Sequence, residues 1–354
     1  MEVHSRSEPR PEYLSFETAL AARKLAEDVM LVKAGENVVL SADTGTDMRA
    51  VNAVAQAVFA ARAHPVIVWY EDIGGSGKEP PAPVAGAIRQ ADVWIEFAVS
   101  YIMHSDAFRA AINAGARYIN LTGMDVHMLV STIGRVDLKA AIEFGATLQQ
   151  LIQASDQVRI DTPGGTSLTA VNGGRPVLLR GKRAERPGET VMLAGQVSWN
   201  PVEESIEGTL VFDGAVWPPP ELGLLRERIV CEVHEGRVTK ISGSAEADIF
   251  VGWLRGFGDE NMYRIAHVSP GFNPGVQHPT GRIVEDERVF GGVEIGIGAK
   301  GAWLGGTLWS APAHTDGSML NPSIYLDGVP IETKGRYVHP DLVRLAAEMG
   351  VPGY

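Results

Sequence analysis

The sequence predicts an α/β protein, with an N-terminal doubly wound parallel-sheet domain followed by a β-rich α+β domain. Three observations predict it. Strand-length apolar runs alternate with amphipathic helical stretches up to about residue 157, the pattern of a parallel sheet covered on both faces. Beyond that point, short β-prone runs are separated by Gly-rich turns, with little helical periodicity. The length, 354 residues, exceeds what one hydrophobic core usually serves. The expected domains are therefore 1–157, Rossmann-like, and 158–354, β-rich and carrying the chemistry.

Residues 1–12 are polar and Pro-containing and read as an arm. Apolar positions recur at helical spacing from Tyr13 to Val32. GENVVLSAD is a buried strand opened by a turn at Gly35, and TDMRAVNAVAQAVFAARA is a helix with Thr46 or Asp47 as its cap. HPVIVWYED is a second strand, Ala82–Gln90 a helix and DVWIEFAVS a third strand. HSDAFRAAINAG is a helix closed by Gly115, RYINL a strand and VDLKAAIEFGATLQQLIQAS a long helix. In the second half ETVMLAG, GTLVFDG, RIVCEVHEGRVTKISG and GGVEIGIG read as strands, the third as a hairpin around Glu235-Gly236. ADIFVGWLRGF and DLVRLAAEMG are its helices, and WPPPELG at 217–223 is a rigid loop, a candidate lid or oligomer contact.

Hydrophobic residues make up 45% of the chain, enough for a sizeable core without disulfides. A net charge of −12 argues against nucleic-acid or anionic-membrane partners, which need clustered Lys and Arg. The single cysteine, Cys231, forms no internal disulfide and fits a reducing compartment. With no apolar leader and no run of membrane-spanning length, a cytoplasmic enzyme is expected. The fold invites a nucleotide site, but SADTGTDM after the first strand lacks the G-x-G-x-x-G turn, and no phosphate-loop motif occurs. The one G-x-G-x-x-G match, GIGAKG at 296–301, has no helix behind it and reads as a Gly-rich strand end. There is no G-x-S-x-G elbow for a nucleophilic hydrolase.

The Gly- and Pro-rich loops of the second half hold the candidate chemistry: AGQVSWNP, AHVSPGFNPG and WSAPAHTDG. His314 and Asp316 are two apart, so an extended segment turns both to one face. His267 lies 47 residues upstream and joins them only through the fold. Two histidines and one carboxylate suit a mononuclear Fe(II) site with positions open for O2 and substrate. A lone His-x-Asp is also what surface polarity or a local hydrogen bond produces, and spacing does not separate these readings. Of the other histidines, His104 stands just past the third strand, at the edge of a parallel sheet where α/β ligands bind. It reads equally as a first-turn helix residue.

The N-terminal α/β pattern followed by AGQVSWNPVEESIEGTLVFDG, AHVSPGFNPG, DERVFGGVEIGIG and AHTDGSM resembles the aminopeptidase T family of metallopeptidases over most of the chain. Those peptidases hold two metal ions. This sequence departs from them: Gln196 replaces the Glu of P-x-G-E, His267 replaces the Glu before G-x-N-P, and Glu294 replaces the His of G-T-V-H-I. Only His314 and Asp316 match as they stand. The loss of two carboxylates removes charge that a two-metal site needs.

The remaining set resembles the 2,5-dihydroxypyridine 5,6-dioxygenases, relatives of the same fold. That resemblance implies a single Fe(II) on His267, His314 and Asp316, a small N-heteroaromatic substrate with O2, and ring opening between C5 and C6 to N-formylmaleamate. It also implies a catalytic base in the N-terminal domain, the position His104 matches best. Glu294 is then expected to orient a ligand histidine. Gln196 and Trp199 are expected near metal or substrate, with Trp303 and Trp309 as further candidates for aromatic walls or buried packing. A homo-oligomer is expected. The alternatives are a metal-dependent aminopeptidase with an altered ligand set and a non-catalytic binding protein.

Overall fold

The computed structural model describes residues 14–75 and 77–354, so the arm expected over 1–12 lies outside the described residues. The chain divides into two units, residues 1–135 with 183–193, and residues 136–182 with 194–354. The division therefore falls at Val136 and not at 157, and the first unit is completed by a later segment.

The first unit is built on a parallel sheet. From one edge its strands are His64–Tyr70, Asn37–Asp43, Val93–Glu96, Arg117–Asn120 and Thr190–Met192. The first four were legible as apolar runs. ETVMLAG is a correction to the sequence reading, because its strand pairs in parallel with Arg117–Asn120 and does not join the β-rich half. The helices follow local signals. Asp47 caps Met48–Ala60 by accepting the Arg49 amide, and Ser105 caps Asp106–Asn113 by accepting that of Phe108. One side of the sheet buries Val39, Trp94 and Tyr118 against Val84, Ile88, Ala107 and Ala111 of two helices. The Trp94 and Tyr118 rings meet at a tilt of 53° with centroids 4.5 Å apart, and Trp94 donates its indole N–H to Ser41.

Glu96 ends the third strand with no exposed surface, and burial is the main cause that pushes its carboxyl up to about 7 from 4.5. A raised acid folds without penalty below about pH 4.5, where it is protonated in both states, and destabilises as pH climbs toward 7. Glu96→Gln is thus expected to melt with the native protein near pH 4.5. At pH 8 the variant should be more stable, by on the order of 3 kcal/mol. Parallel melting curves at the two pH values check this, and an equal difference at both would refute it.

The second unit carries two antiparallel sheets. The eight-stranded one includes Gln157–Asp161, Ser167–Val171, Glu207–Phe212 and the hairpin Ile229–His234/Arg237–Gly243. The seven-stranded one runs Gly223–Leu224, Ala215–Trp217, His314–Leu320, Gly292–Gly298, Ile265–Pro270, Val197–Trp199 and Val177–Leu179. Both sheets and the helices Leu138–Ala154, Ala245–Gly256 and Pro340–Glu348 feed one core. Val268, Val293, Ile295, Ile297 and Met319 turn into it from the seven-stranded sheet, and Val158, Ile160, Leu210 and Phe212 from the other. Gly317 lies where a Cβ would meet the Phe212 ring at 2.4 Å, so a glycine lets that ring approach the sheet. Cys231 is fully buried in its strand, and burial pushes its thiol up to about 12, which leaves it inert. Among the described residues no helix is long and apolar enough to cross a membrane.

Candidate metal centre

Strand parity builds the site. In Gly292–Gly298 and His314–Leu320 alternate residues fill the core and those between face the other way, and in Ile265–Pro270 a register shift between Ile265 and His267 sets His267 opposite to the core residue Val268. Register then aligns those facing away. His267 lies opposite Gly296, and Gly296 opposite Asp316. His314 lies two residues before Asp316 on the same strand, opposite Gly298. Three strands thereby bring together the residues whose spacing singled them out.

The donor atoms form a tight triangle. His267 Nε2 is 3.1 Å from His314 Nε2, His314 Nε2 is 2.8 Å from Asp316 Oδ1, and His267 Nε2 is 3.4 Å from the same oxygen. Ligands about 2.1 Å from an octahedral centre stand ~3.0 Å apart along an edge. The triangle therefore matches one octahedral face. Gly296 makes the space: a Cβ there would lie 2.3 Å from His267 Nε2 and 2.7 Å from His314 Cε1. The sequence held a signal for it, because a glycine inside a strand marks close approach of another group.

The outer nitrogens set the tautomers. His314 Nδ1 donates to the Ala299 carbonyl at 2.7 Å, so its Nε2 lone pair faces the triangle. His267 Nδ1 is 3.1 Å from Ser269 Oγ and 3.4 Å from Glu294 Oε2. Ser269 in turn meets Ser198 Oγ at 2.8 Å. The hydrogen bond of His267 Nδ1 is thus to Ser269, and Glu294 stands beside that nitrogen with both carboxyl oxygens buried and without a hydrogen-bond partner. Its carboxyl is 1% exposed, and burial first, then the Asp316 charge, pushes it well above the ordinary range. Burial would also raise Asp316, but His314 and His267 beside it win and hold it far below its usual value. Burial lowers His267; at His314 burial is again the largest cause, but the Asp316 charge and hydrogen bond, the Ala299 carbonyl and Glu287 together outweigh it and the net direction is up. These are the signatures of a carboxylate already charged beside two imidazoles.

Sequence reasoning missed Glu287. It lies in a loop-borne turn, paired with Arg288 at 2.9 Å. Burial first, opposed by Arg288 and reinforced by the Asp316 charge, pushes it up to about 7. No motif marked it, because it reaches the field of Asp316 only through the fold.

The other sequence candidates divide. Gln196 pairs across to Gly271, two residues along the chain from Ser269, and its Oε1 is buried without a hydrogen-bond partner. Trp199 is a correction. It has no exposed surface, pairs with Val268 on the core side and donates its indole N–H to Asn172 at 2.9 Å, so it packs away from His267. Trp309 donates to the Gly298 carbonyl at 2.9 Å and lies under Arg264 and Lys300 at 4.4 and 4.2 Å. Trp303 is 47% exposed and covered by Arg180. The WPPPELG stretch begins at Trp217, which pairs with Asp316, and the Pro218 carbonyl accepts the Thr315 hydroxyl. His104, in the first unit, is exposed and precedes the cap Ser105, so it is not a first-turn helix residue.

Fold and donors together define the class: an α/β protein with a two-histidine, one-aspartate centre able to hold one metal ion. The chain belongs to the NicX family, 2,5-dihydroxypyridine 5,6-dioxygenase, whose model matches residues 21–339. It is 26% identical over 263 residues to the 2,5-dihydroxypyridine 5,6-dioxygenase of Pseudomonas putida KT2440, covering 72% of this chain and 73% of that one. A solved structure of 2,5-dihydroxypyridine dioxygenase from Pseudomonas putida KT2440 superposes with a TM-score of 0.76 at 20% identity, over 95% of this chain and 99% of that one. Wild-type AmpT from Thermus thermophilus superposes with a TM-score of 0.66 at 13% identity, over 92% and 100%. The last two likenesses concern the fold, and they agree with the mixed α/β architecture and the aminopeptidase T resemblance.

Proposed function

We propose that this protein opens a hydroxylated pyridine ring with O2, at one Fe(II) held by His267, His314 and Asp316. The observation that carries the proposal is the donor triangle, which occupies one face of a coordination sphere and leaves the opposite face for ligands. The substrate proposed is 2,5-dihydroxypyridine, and the product N-formylmaleamate takes up both oxygen atoms of O2. Bound Fe(II) supplies coordination for the ring hydroxyl and O2 and a path for electrons between them. The protein's part is to keep both imidazoles neutral toward the ion through their Nδ1 partners, with Glu294 holding the ring of His267 in place. His104 takes the hydroxyl proton, a task suited to an imidazole near neutral pH.

Anaerobic Fe(II) loading followed by oxygen uptake with 2,5-dihydroxypyridine tests the reading. One iron per chain and one O2 consumed per ring opened are expected. Two zinc or manganese ions with release of amino acids from peptides would overturn it. His104→Ala is expected to keep its iron and lose turnover by about 10²–10⁴-fold. Equal loss of iron in this variant and in His314→Ala would refute the division of roles.

A cytoplasmic homo-oligomer belongs to the same proposal. Its support is the lone buried thiol and the edge strand His64–Tyr70, where Val66, Ile67 and Trp69 are 44%, 37% and 64% exposed.

A further inference from the structure

His104 has a backbone that histidine rarely adopts. The Ser105 amide donates to the Ile102 carbonyl at 3.0 Å, which closes a β-turn over Ile102–Ser105. His104 is the third residue of that turn, with φ at +80°. Turns with positive φ there favour glycine, so a histidine is held by its surroundings.

Those surroundings are two buried carboxylates at the ends of neighbouring strands. Glu96 Oε1 accepts the Ile102 amide at 2.6 Å, and Oε2 meets the Tyr118 hydroxyl. Asp43 Oδ2 accepts the Ser100 amide at 2.9 Å, while its Oδ1 is held by the Gly45 amide and the Thr46 hydroxyl. Ile102, the first residue of the turn, is itself fully buried. On the far side Ser105 caps the next helix through Phe108, and Arg109 donates to the His104 carbonyl at 2.5 Å. The turn is therefore gripped at both ends, and its third residue is left exposed.

We infer that Glu96, assisted by Asp43, is a positioning residue that fixes the Ile102–Ser105 turn and so presents His104 to substrate. The inference rests on the proposed role of His104. Glu96 touches no reacting atom. It acts through the backbone amides of Ile102 and Met103.

Glu96→Ala removes its bonds to Ile102, Met103 and Tyr118, whereas Glu96→Gln keeps an acceptor for the amides and a partner for Tyr118. Asp43→Asn leaves one acceptor for two backbone amides, so an N–H must face either that of Ser100 or that of Gly45; this loosens the grip without opening a cavity, and the variant serves if Glu96→Ala does not fold. In the iron-loaded full chain, Glu96→Ala or Asp43→Asn is expected to lower kcat by about 10- to 100-fold with KM nearly unchanged, and Glu96→Gln to restore kcat to within about twofold. Amide exchange over residues 97–105 should rise in the first two variants and not in the third. In a His104→Ala background the Glu96→Ala change should cost nothing further.

An additive loss in that background, or full kcat despite faster exchange, would overturn the inference alone. If His104→Ala by itself leaves kcat intact, the reading of His104 fails and the inference falls with it, whatever the exchange data show.

Discussion

Asp316→Asn is expected to abolish tight metal retention while leaving the fold in place. The side chains are isosteric, and Asp316 sits in the middle of a seven-residue strand paired on both sides. What the substitution removes is the one negative charge that faces both imidazoles, at 2.8 and 3.4 Å from their Nε2 atoms. His314 and His267 hold that carboxyl far below its ordinary value, so it stays charged throughout the neutral range. Loss of an outer partner of a metal ligand typically costs about 10- to 100-fold in metal affinity, and loss of the charged ligand itself is expected to cost more than that. Equilibrium dialysis against Fe(II) under argon measures it, and His314→Ala should behave alike. Retention of iron within tenfold of native by Asp316→Asn would remove this residue from the ligand set.

The second large effect is expected from a residue with no donor atom. Gly296→Ala should empty the centre although all three ligands remain. The position does not need glycine's conformational freedom, since its φ is not among the positive ones. It needs glycine's lack of a side chain. One methyl would stand 2.3 Å from His267 Nε2 and 2.7 Å from the His314 ring, so both rings must turn aside. Overpacking of this kind costs ~1–3 kcal/mol of stability, which a folded domain survives. The metal, in contrast, requires Nε2 atoms on fixed lines, and affinity is expected to fall about 100-fold or more. Metal content and melting temperature measured together separate the two outcomes. Native iron content in Gly296→Ala would show that the rings have room which this geometry denies them.

Local chemistry determined much of what was readable in advance. The strands and helices of the first unit follow from apolar runs, Asp47 as a cap, and short-range periodicity, all of which act within a few residues, whereas the Ser105 cap that excludes His104 from its helix was not read. The pairing of His314 with Asp316 was legible for the same reason, because residues two apart on a strand share a face.

Register and parity between strands decided the rest, and neither is a local property. A single step along the chain separates Trp199, placed on the core side, from Ser198, linked to Ser269 beside His267. Only pairing could put Gly296 between His267 and Asp316, or bring Glu287 into the field of Asp316. Only parallel pairing with Arg117–Asn120 could claim Thr190–Met192 from the β-rich half, and only packing could leave the helix Leu138–Ala154 to the second unit. Hydrogen bonds between distant strands carry no mark in the residues on either side of them.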